Sequence, residues 1–397
     1  MKSGTRALFL LAILAALVSF TKFSHCQSTI WATPDQYIHA CYSDLPSLFG
    51  ERGMVDNKWP YASETNAVEY PVLTGIVMYA TSFVAHSPVS YFNFNALLLA
   101  LLFIAVVLLV RKIKPEYAYL VVVGPAMIAS LYINWDLWAI TTMMLAIYWF
   151  DRKAYLYSSI AIAVSISTKF LPIFLLLPIL FILWRSNQIR ELIKYTLTTI
   201  AIWLAINLPF ALTTPTGWWR FYQLNIGRKA DSGSLWLAFN QLGLGLTNLN
   251  YLALLLLLIG LTSFAIFLFE LKHTPTLASV AFIVLSVVMI ASKVYSPQYV
   301  LWLTPLAVIA LKNKKDLHAF WIWQGAESLY HVAIWQHLAL LTGAHFGLEQ
   351  GGYATISLIR IAATTYLAAT LIKRALEARN TQGSLFDLLF EASKPYP

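Results

Sequence analysis

A short polar segment, KVYSPQY at residues 293–299, lies between two long apolar runs. Ser296 and Pro297 predict the end of one helix and the start of the next, because proline interrupts a helix but suits its first turn. The first turn of a helix attracts anionic groups, and polar side chains there need hydrogen-bond partners. The segment therefore predicts a binding site for a phosphate or a sugar, formed by Lys293, Ser296, Gln298 and Tyr299. The alternative is a simple turn at a membrane interface.

Two other charged residues interrupt apolar runs: Lys169 in ISISTKFLPIF and Asp136 in INWDLW. A lysine inside a bilayer costs about 2.5–3.5 kcal/mol on insertion scales, so it usually forms an ion pair, reaches the interface or serves a function. The tryptophans beside Asp136 suit a membrane interface, and aromatic faces also stack against sugar rings. We predict that Lys169 and Asp136 bind the same phosphate or sugar. Alternatively, Lys169 extends to the interface and Asp136 caps a helix.

The stretch 24–70 contains one third of the eighteen acidic residues, namely Asp35, Asp44, Glu51, Asp56, Glu64 and Glu69. Acidic residues orient membrane segments only weakly, so topology does not explain this enrichment. Asp44 begins a short amphipathic stretch that could lie on a membrane surface, where a carboxylate can act as a general base on a hydroxyl. We predict Asp44 as that base, with Asp35 and Glu69 as other candidates. The alternative for any of these acids is a helix cap or a solvated charge.

A second polar stretch, residues 213–250, interleaves aromatic and basic residues in GWWRFYQLNIGRKADSGSLW. This pattern predicts contact with a lipid headgroup or a glycan, with Arg228 as the binding residue. An amphipathic helix at the membrane interface is the alternative.

The histidines do not predict a metal centre. His331 and His337 are six residues apart, so they do not share a helix face as metal ligands at i and i+4 would. We therefore predict no metal and no cofactor, and keep His331 only as a further polar candidate for the site.

The composition predicts a membrane protein. Of 397 residues, 59% are hydrophobic and 11% are charged, and the mean hydropathy is +0.66. A soluble protein of this length would have roughly a quarter charged residues. The net charge of +9 comes from small groups of lysine and arginine between apolar runs. Such groups are typical of short cytoplasmic loops, so we predict no nucleic-acid partner.

The apolar runs predict an all-α, polytopic protein of 11–13 transmembrane helices, forming one domain over residues 1–374. The run behind the basic N-terminus is either a signal peptide or a first span. We favour a retained span with a cytoplasmic N-terminus in the cell membrane. Placing the basic groups inside puts 24–70 and 213–250 outside and predicts a polar cytoplasmic tail at 375–397. One segment conflicts with this arrangement: residues 71–92 must return to the side they left, or the basic group at Arg111 breaks the rule.

Cys26 and Cys41 are the only cysteines, and both lie in the first polar stretch. If that stretch faces an oxidising compartment, a disulfide would close a ring of about 15 residues, worth on the order of 3 kcal/mol in the chain-entropy model. Two free thiols are the alternative.

The chain resembles the integral-membrane glycosyltransferases of the GT-C superfamily, and within them the actinobacterial branch of glycosyltransferase family 87. The resemblance is carried by CYSDLPSLFGERG, PYASETNAVEYPVLTG, NWDLWAI, TKFLPIFLLLPIL and SKVYSPQYVLWLTPL, which occur in the family's order over residues 41–306. The lysine followed by SPQYVLW is the most specific of these motifs, and TKFLP alone is weak. No paired aspartates of the DD or DxD kind follow the first span, so other branches fit less well.

This resemblance implies an enzyme of the outer membrane face that transfers a hexose, usually mannose, from a polyprenyl-phosphate donor to a lipid or glycan acceptor. It implies an aspartate of the first outer loop as general base, here Asp44, and no metal requirement. Lys169 and Lys293 would then stabilise the leaving phosphate. A lipid-linked-sugar transporter would also need charges inside the membrane, but it usually shows inverted repeats, which the sequence does not. A non-catalytic subunit of a glycosylation complex is the other alternative.

Overall fold

The computed structural model describes residues 3–62 and 67–377. Glu64 and residues 378–397, most of the predicted tail, lie outside this range. The α-helices are α1 (Ser3–Thr21), α2 (Ser24–Thr29), α3 (Asp35–Ile38), α4 (Asp44–Glu51), α5 (Val72–Ser82), α6 (Pro88–Ile113), α7 (Tyr119–Val123), α8 (Pro125–Ser130), α9 (Asp136–Phe150), α10 (Tyr155–Thr168), α11 (Leu176–Arg185), α12 (Ile189–Thr213), α13 (Pro215–Gly227), α14 (Leu235–Gln241), α15 (Leu249–Glu270), α16 (Leu277–Ala291), α17 (Val300–Ala310), α18 (Lys314–Leu341) and α19 (Gln350–Glu377). Short 3₁₀ helices occupy Met54–Asp56, Leu171–Leu175 and Pro297–Tyr299.

Every regular element in the described residues is helical, so the predicted all-α class is confirmed. Five helical segments are long and apolar enough to cross a membrane: Gly4–Thr29, Pro88–Ile113, Ile189–Thr213, Leu249–Glu270 and Gln350–Glu377. Six further apolar helices are 10–17 residues long. These lengths and compositions are those of a multi-pass membrane protein. The count of 11–13 crossings stays a prediction.

The short helix α5 bears on the segment that conflicted with the basic-residue pattern. It has only 11 residues, and an α-helix of that length spans about 16 Å, roughly half of a bilayer's apolar core. α6 then begins at a Ser87 capping box with Pro88 in its first turn and continues for 26 residues. A helix as short as α5 favours the arrangement in which residues 71–92 return to the side they left.

The core is formed by helices that are buried on all sides. α9, α16 and α17 pack together, and most of their residues have no contact with solvent. α12 and α15 are different, because their large apolar side chains are mostly exposed. Exposed apolar faces of this size mark a surface that contacts lipid. α12 and α15 therefore form part of the lipid-facing layer around the buried core.

Two predicted interruptions of the apolar runs are confirmed. α10 ends at Thr168, Lys169 is extended, and the chain resumes as a 3₁₀ helix at Leu171. α16 ends at Ala291, Ser296 is extended, and a 3₁₀ helix begins at Pro297. In both places a lysine lies where the helix is broken, and broken helices within a membrane protein are tolerated where they line a cavity.

The two long polar stretches contain short helices. In residues 24–70 Cys26 and Cys41 form a disulfide, so they are not the free thiols of the alternative prediction. Residues 213–250 form α13 and α14. α19 continues to Glu377, so residues 375–377 of the predicted tail are helical.

Candidate functional site

Asp44 is the first residue of α4, in the first polar stretch and outside the membrane-spanning helices. The hydroxyl of Ser43 caps α4 by accepting a hydrogen bond from the Leu45 amide, and it donates to the Tyr132 carbonyl at 2.7 Å. The Asp44 amide donates to the Ile133 carbonyl at 2.7 Å. The start of α4 is thus fixed to the end of α8, and the Asp44 side chain remains partly exposed.

Two tyrosines donate hydrogen bonds to the Asp44 carboxylate. The Tyr42 hydroxyl lies 2.8 Å from Oδ1, and the Tyr70 hydroxyl lies 3.1 Å from Oδ2. Burial raises the pKa of Asp44, and the bond from Tyr42 and the positive charge of Lys169 offset this only in part. A carboxylate with a raised pKa is a better proton acceptor than an ordinary aspartate, provided that it is ionised.

Lys169 forms an ion pair with Asp136. Its Nζ lies 2.9 Å from Oδ1 of Asp136, whose side chain is fully buried. The second oxygen, Oδ2, accepts a hydrogen bond from the indole of Trp302 at 2.9 Å. The sequence offered interfacial exposure for Lys169 as the alternative, but its side chain is only 17% exposed. Asp136 is also in the first turn of α9, where an acid is favourable, so it has the helix-end position of the alternative prediction as well as the ion pair with Lys169.

Tyr70 connects these two groups of residues. Lys169 Nζ lies 4.3 Å from the centre of the Tyr70 ring, while the Tyr70 hydroxyl donates to Asp44. A cation over an aromatic face is attracted by the ring. Asp44, Tyr70, Lys169 and Asp136 therefore form one continuous cluster, which we call the Asp44 cluster. The sequence predicted three of its four members.

Lys293 and Arg228 form a second charged group of predicted site residues. Lys293 Nζ donates to the Ile226 carbonyl at 3.1 Å and to the Asn250 side chain at 2.5 Å. Partial burial lowers the pKa of Lys293, and the positive charge of Arg228 lowers it further. Arg228 itself donates to Asp231 at 2.5 and 3.0 Å. Two neighbouring cations with one carboxylate between them leave a net positive charge.

Backbone pairing joins the second polar stretch to the 293–299 segment. The Asp231 amide donates to the Lys293 carbonyl at 2.8 Å, and the Tyr295 amide donates to the Ser232 carbonyl at 3.2 Å. Arg228 and Lys293 are therefore brought together by main-chain contacts and not only by their side chains.

A buried arginine donates hydrogen bonds to the backbone of the 293–299 segment. Arg360, on α19, donates to the carbonyls of Tyr295 and Ser296, the latter at 3.0 Å, and forms a 2.8 Å ion pair with Glu327. Its guanidinium lies between the rings of Tyr295 and Tyr330, at 3.6 and 4.1 Å from their centres. Neither Arg360 nor Glu327 is exposed to solvent.

The remaining residues of the segment occupy different positions around the break. Tyr299 is partly exposed, and its hydroxyl is subject to the charges of Lys169, Asp136 and Arg228. Gln298 is buried. Ser296 occupies the N-cap position of the 3₁₀ helix, and its carbonyl accepts a hydrogen bond from Arg360.

Three other candidates are engaged in contacts of their own. Glu69 forms a bidentate ion pair with Arg52, at 2.6 and 2.7 Å. Asp35 pairs with His25 and His39. His331 is buried, with its ring nitrogens near Ser130 and Lys22 at 3.3 and 3.4 Å. Asp44 is the candidate acid that shares Tyr70 with Lys169.

Sequence reasoning missed several residues of the site. Tyr42 and Tyr70 lie inside motifs that were quoted, but nothing in a single sequence distinguishes a tyrosine that donates to a carboxylate. Arg360 did carry a signal, since an arginine within the apolar run 354–372 is costly unless it is paired. Glu327 within the run 318–340 carried the same signal.

An apolar cavity of about 520 Å³ is lined in part by the segment that follows Lys169. Its first residue, Phe170, directly follows Lys169 in the chain. The cavity lies between the segment 170–177 and α15 and is lined by Phe170, Ile173, Phe174, Leu177, Leu258, Leu261, Thr262 and Ala265. An elongated apolar molecule would thus find a binding surface beside a lysine.

Comparison with known proteins gives partial matches. The family model described as "ALG3 protein" matches residues 72–231, fewer than half of the 397 residues. No curated protein matches the chain. The crystal structure of ArnT from Cupriavidus metallidurans bound to undecaprenyl phosphate is similar at 13% sequence identity, with a TM-score of 0.49, over 96% of this chain and 79% of ArnT. The matched range of the ALG3 model contains Asp136, Lys169 and Arg228, and it ends at Asp231.

Proposed function

We propose that this protein is a membrane glycosyltransferase that transfers a hexose, most simply mannose, from a polyprenyl-phosphate donor to a glycolipid, lipoglycan or other envelope acceptor. The observation that carries the proposal is the Asp44 cluster, in which a partly exposed carboxylate of raised pKa shares one tyrosine with a lysine. A proton acceptor and a cation side by side are what transfer from a phosphate ester to a hydroxyl requires.

The partial family match supports the sugar and the donor. The ALG3 family consists of dolichol-phosphate-mannose mannosyltransferases, and its model covers the part of the chain from α5 to Asp231. The resemblance to glycosyltransferase family 87, its actinobacterial branch and the GT-C fold is part of the same proposal, as are the outer-face location of the site and a cytoplasmic N-terminus.

In the proposed reaction, Asp44 takes the proton from an acceptor hydroxyl. The hydroxyl oxygen forms a bond to the anomeric carbon while the bond from that carbon to the phosphate oxygen breaks, with inversion at carbon. The electron pair of the broken bond stays with polyprenyl phosphate, and the proton stays on Asp44 until solvent removes it. Tyr42 and Tyr70 orient the carboxylate through their two hydrogen bonds.

The leaving phosphate gains negative charge in this step, so positive groups should contact it. Lys293 and Arg228 are partly exposed and near each other, and both Lys169 and Arg228 act electrostatically on Tyr299. We assign the phosphate to this region. Lys169 contributes less charge than the sequence suggested, because its ion pair with Asp136 neutralises it in part. Its main role in the proposal is to hold Tyr70 and Asp44 beside the sugar.

The polyprenyl chain is assigned to the apolar cavity that begins at Phe170. It lies between the 170–177 segment and α15, a helix whose other apolar side chains face lipid. A lipid in this cavity would enter from the bilayer without crossing a polar surface.

The proposal is tested by transfer of radiolabelled mannose from polyprenyl-phosphate mannose to membrane acceptors, with wild type and Asp44→Asn compared. Asp56→Asn is the matched control, because Asp56 is an exposed acid of the same loop. We expect transfer by wild type and the control and none by Asp44→Asn. Transfer that survives in Asp44→Asn would move the base to Asp35 or Glu69. No transfer by wild type would contradict the proposal and leave transport of a lipid-linked sugar, or a non-catalytic subunit, as the alternatives.

A further inference from the structure

Two histidines and an aspartate converge on one point of the first polar stretch. His25 lies on α2, Asp35 begins α3, and His39 follows α3 directly. His25 Nε2 lies 2.7 Å from one Asp35 oxygen, and His39 Nδ1 lies 3.2 Å from the other. The two imidazole rings stack with their centres 3.6 Å apart. One ligand-type atom from each residue lies within 4.8 Å of the other two.

We propose that His25, Asp35 and His39 form a binding site for a zinc ion, with the fourth position open to water. Two imidazole nitrogens and one carboxylate oxygen are ligands that zinc prefers, whereas calcium and magnesium take oxygen ligands. Around a tetrahedral zinc with bonds of about 2.0–2.2 Å, neighbouring ligand atoms lie roughly 3.3–3.6 Å apart. The three ligand atoms already lie within 4.8 Å of one another, and a bound metal would replace the hydrogen bonds to Asp35.

The scaffold that carries these residues is fixed before any metal binds. The Cys26–Cys41 disulfide joins the residue after His25 to a residue two positions beyond His39. The Trp31 indole donates to the Cys41 carbonyl at 3.0 Å, which adds a hydrogen bond within the loop that the disulfide closes. A site whose ligands are already held together binds with a smaller loss of conformational entropy.

The site is also open to ions from solution. The side chains of His25, Asp35 and His39 are 42%, 32% and 44% exposed. Beneath them, Tyr37 of α3 stacks on Tyr42 and on Trp335, and Tyr42 donates to Asp44. A metal bound here would therefore restrict the movement of α3, which packs through Tyr37 against Tyr42, the tyrosine that donates to Asp44.

Zinc binding is measured directly, without turnover, so the result is independent of the proposed function. Full-length protein in detergent, with its disulfide intact, is stripped with a chelator and titrated with Zn²⁺, and bound metal is counted by mass spectrometry. His25→Gln places an amide near the position of Nε2, and Asp35→Asn keeps the shape of the carboxylate. His345→Asn is the control, because His345 is an exposed histidine of the loop between α18 and α19.

We expect one zinc per chain in wild type and in His345→Asn. Loss of a ligand should weaken binding by at least about tenfold in His25→Gln and in Asp35→Asn. Equal binding in all four proteins, or none in wild type, would overturn the proposal. Because a variant could misfold, wild type is also loaded with Co²⁺. Visible absorption bands of tetrahedral cobalt are expected, and their absence would overturn the proposal as well.

Discussion

Lys169 Nζ lies 2.9 Å from Oδ1 of Asp136, a carboxylate that has no contact with solvent. Removing one member of a buried ion pair leaves an uncompensated charge and costs about 3–5 kcal/mol, while replacing both members by neutral groups of similar size is often close to neutral. The pair therefore links the stability of the protein to the proposed site.

We expect Lys169→Met and Asp136→Asn to lower the thermal midpoint strongly as single variants. The double variant should regain most of that stability, since no charge is left buried. It should not regain transfer activity, because Tyr70 loses the cation over its ring. Thermal unfolding in detergent and the mannose transfer assay give the two readouts. An inactive but stable double variant supports a role of the pair in the site, whereas recovery of activity would show that the pair is only structural.

The pH dependence of transfer should reflect Asp44. Its pKa is raised by burial above the usual value of about 3.9 for an aspartate, so the acidic limb of the pH–rate profile should lie above that value. Activity should fall as the pH falls through the pKa of Asp44, because the base becomes protonated. A profile of kcat/KM against pH checks this. An acidic limb at the ordinary aspartate value would argue against Asp44.

The same shift has an effect on stability. Since the pKa of Asp44 is higher in the folded protein than in the unfolded chain, its contribution to stability is full below the unfolded pKa and is lost as the pH rises through the folded pKa. At neutral pH we therefore expect Asp44→Asn to be at least as thermally stable as wild type. A marked decrease in its thermal midpoint would contradict this expectation.

The two tyrosines beside Asp44 should differ in their effects. Tyr42→Phe removes the 2.8 Å hydrogen bond to the carboxylate, and Tyr70→Phe removes the 3.1 Å bond while keeping the ring under Lys169. Both bonds lower the pKa of Asp44, and the bond from Tyr42 lowers it more. We expect the acidic limb to move to higher pH in both variants, and further in Tyr42→Phe. An unchanged limb in Tyr42→Phe would exclude Asp44 as the titrating base.

Donor affinity should depend on Lys293. A hydrogen bond to a charged group contributes about 1.5–3 kcal/mol, so Lys293→Gln should raise the donor KM by about tenfold or more, with a smaller change in the acceptor KM. Lys58→Gln is the control, because Lys58 is an exposed lysine in the first polar stretch. An unchanged donor KM in Lys293→Gln would move the phosphate away from the Arg228–Lys293 pair.

Arg360 should act as a positioning residue. Lysine keeps the charge but cannot donate at once to Glu327 and to two backbone carbonyls, as the planar guanidinium does. We expect Arg360→Lys to lower both the thermal midpoint and kcat/KM. Arg374→Lys provides the comparison, since Arg374 lies farther along α19 and pairs with Asp316 of α18. If Arg360→Lys lowers stability and leaves kcat/KM intact, the contact does not position the segment for transfer.

Much of the fold could be predicted because it depends on local patterns. Apolar runs, and prolines at positions 172 and 297, indicate where helices form and break, and the structure confirms those breaks. Helix lengths were harder. Residues 71–92 contain α5, which ends after only 11 residues, and an apolar stretch later in the chain divides into α7 and α8 at Gly124–Pro125.

The contacts of the site could not be predicted, because they join residues that are far apart in the chain. Trp302 donates to Asp136 across 166 positions, and Tyr70 donates to Asp44 across 26. A sequence can show that Lys169 is costly where it lies, but not that Asp136 is its partner. The histidine cluster was missed for a different reason. Only Asp35 and His39 are four residues apart, and His25 lies ten positions before Asp35 on another helix, so the sequence does not show that the three residues meet.

The hydrogen bonds from Arg360 to the 293–299 segment also bear on the order in which the protein is made. The carbonyls that Arg360 holds belong to residues translated 65 and 64 positions earlier. While the ribosome is still completing α19, the Lys293–Tyr299 segment has no arginine behind it, and Glu327 is an unpaired acid within α18. These contacts form only after Arg360 has been made, so we expect a chain that ends before Arg360 to contain every residue proposed to touch substrate and still be inactive.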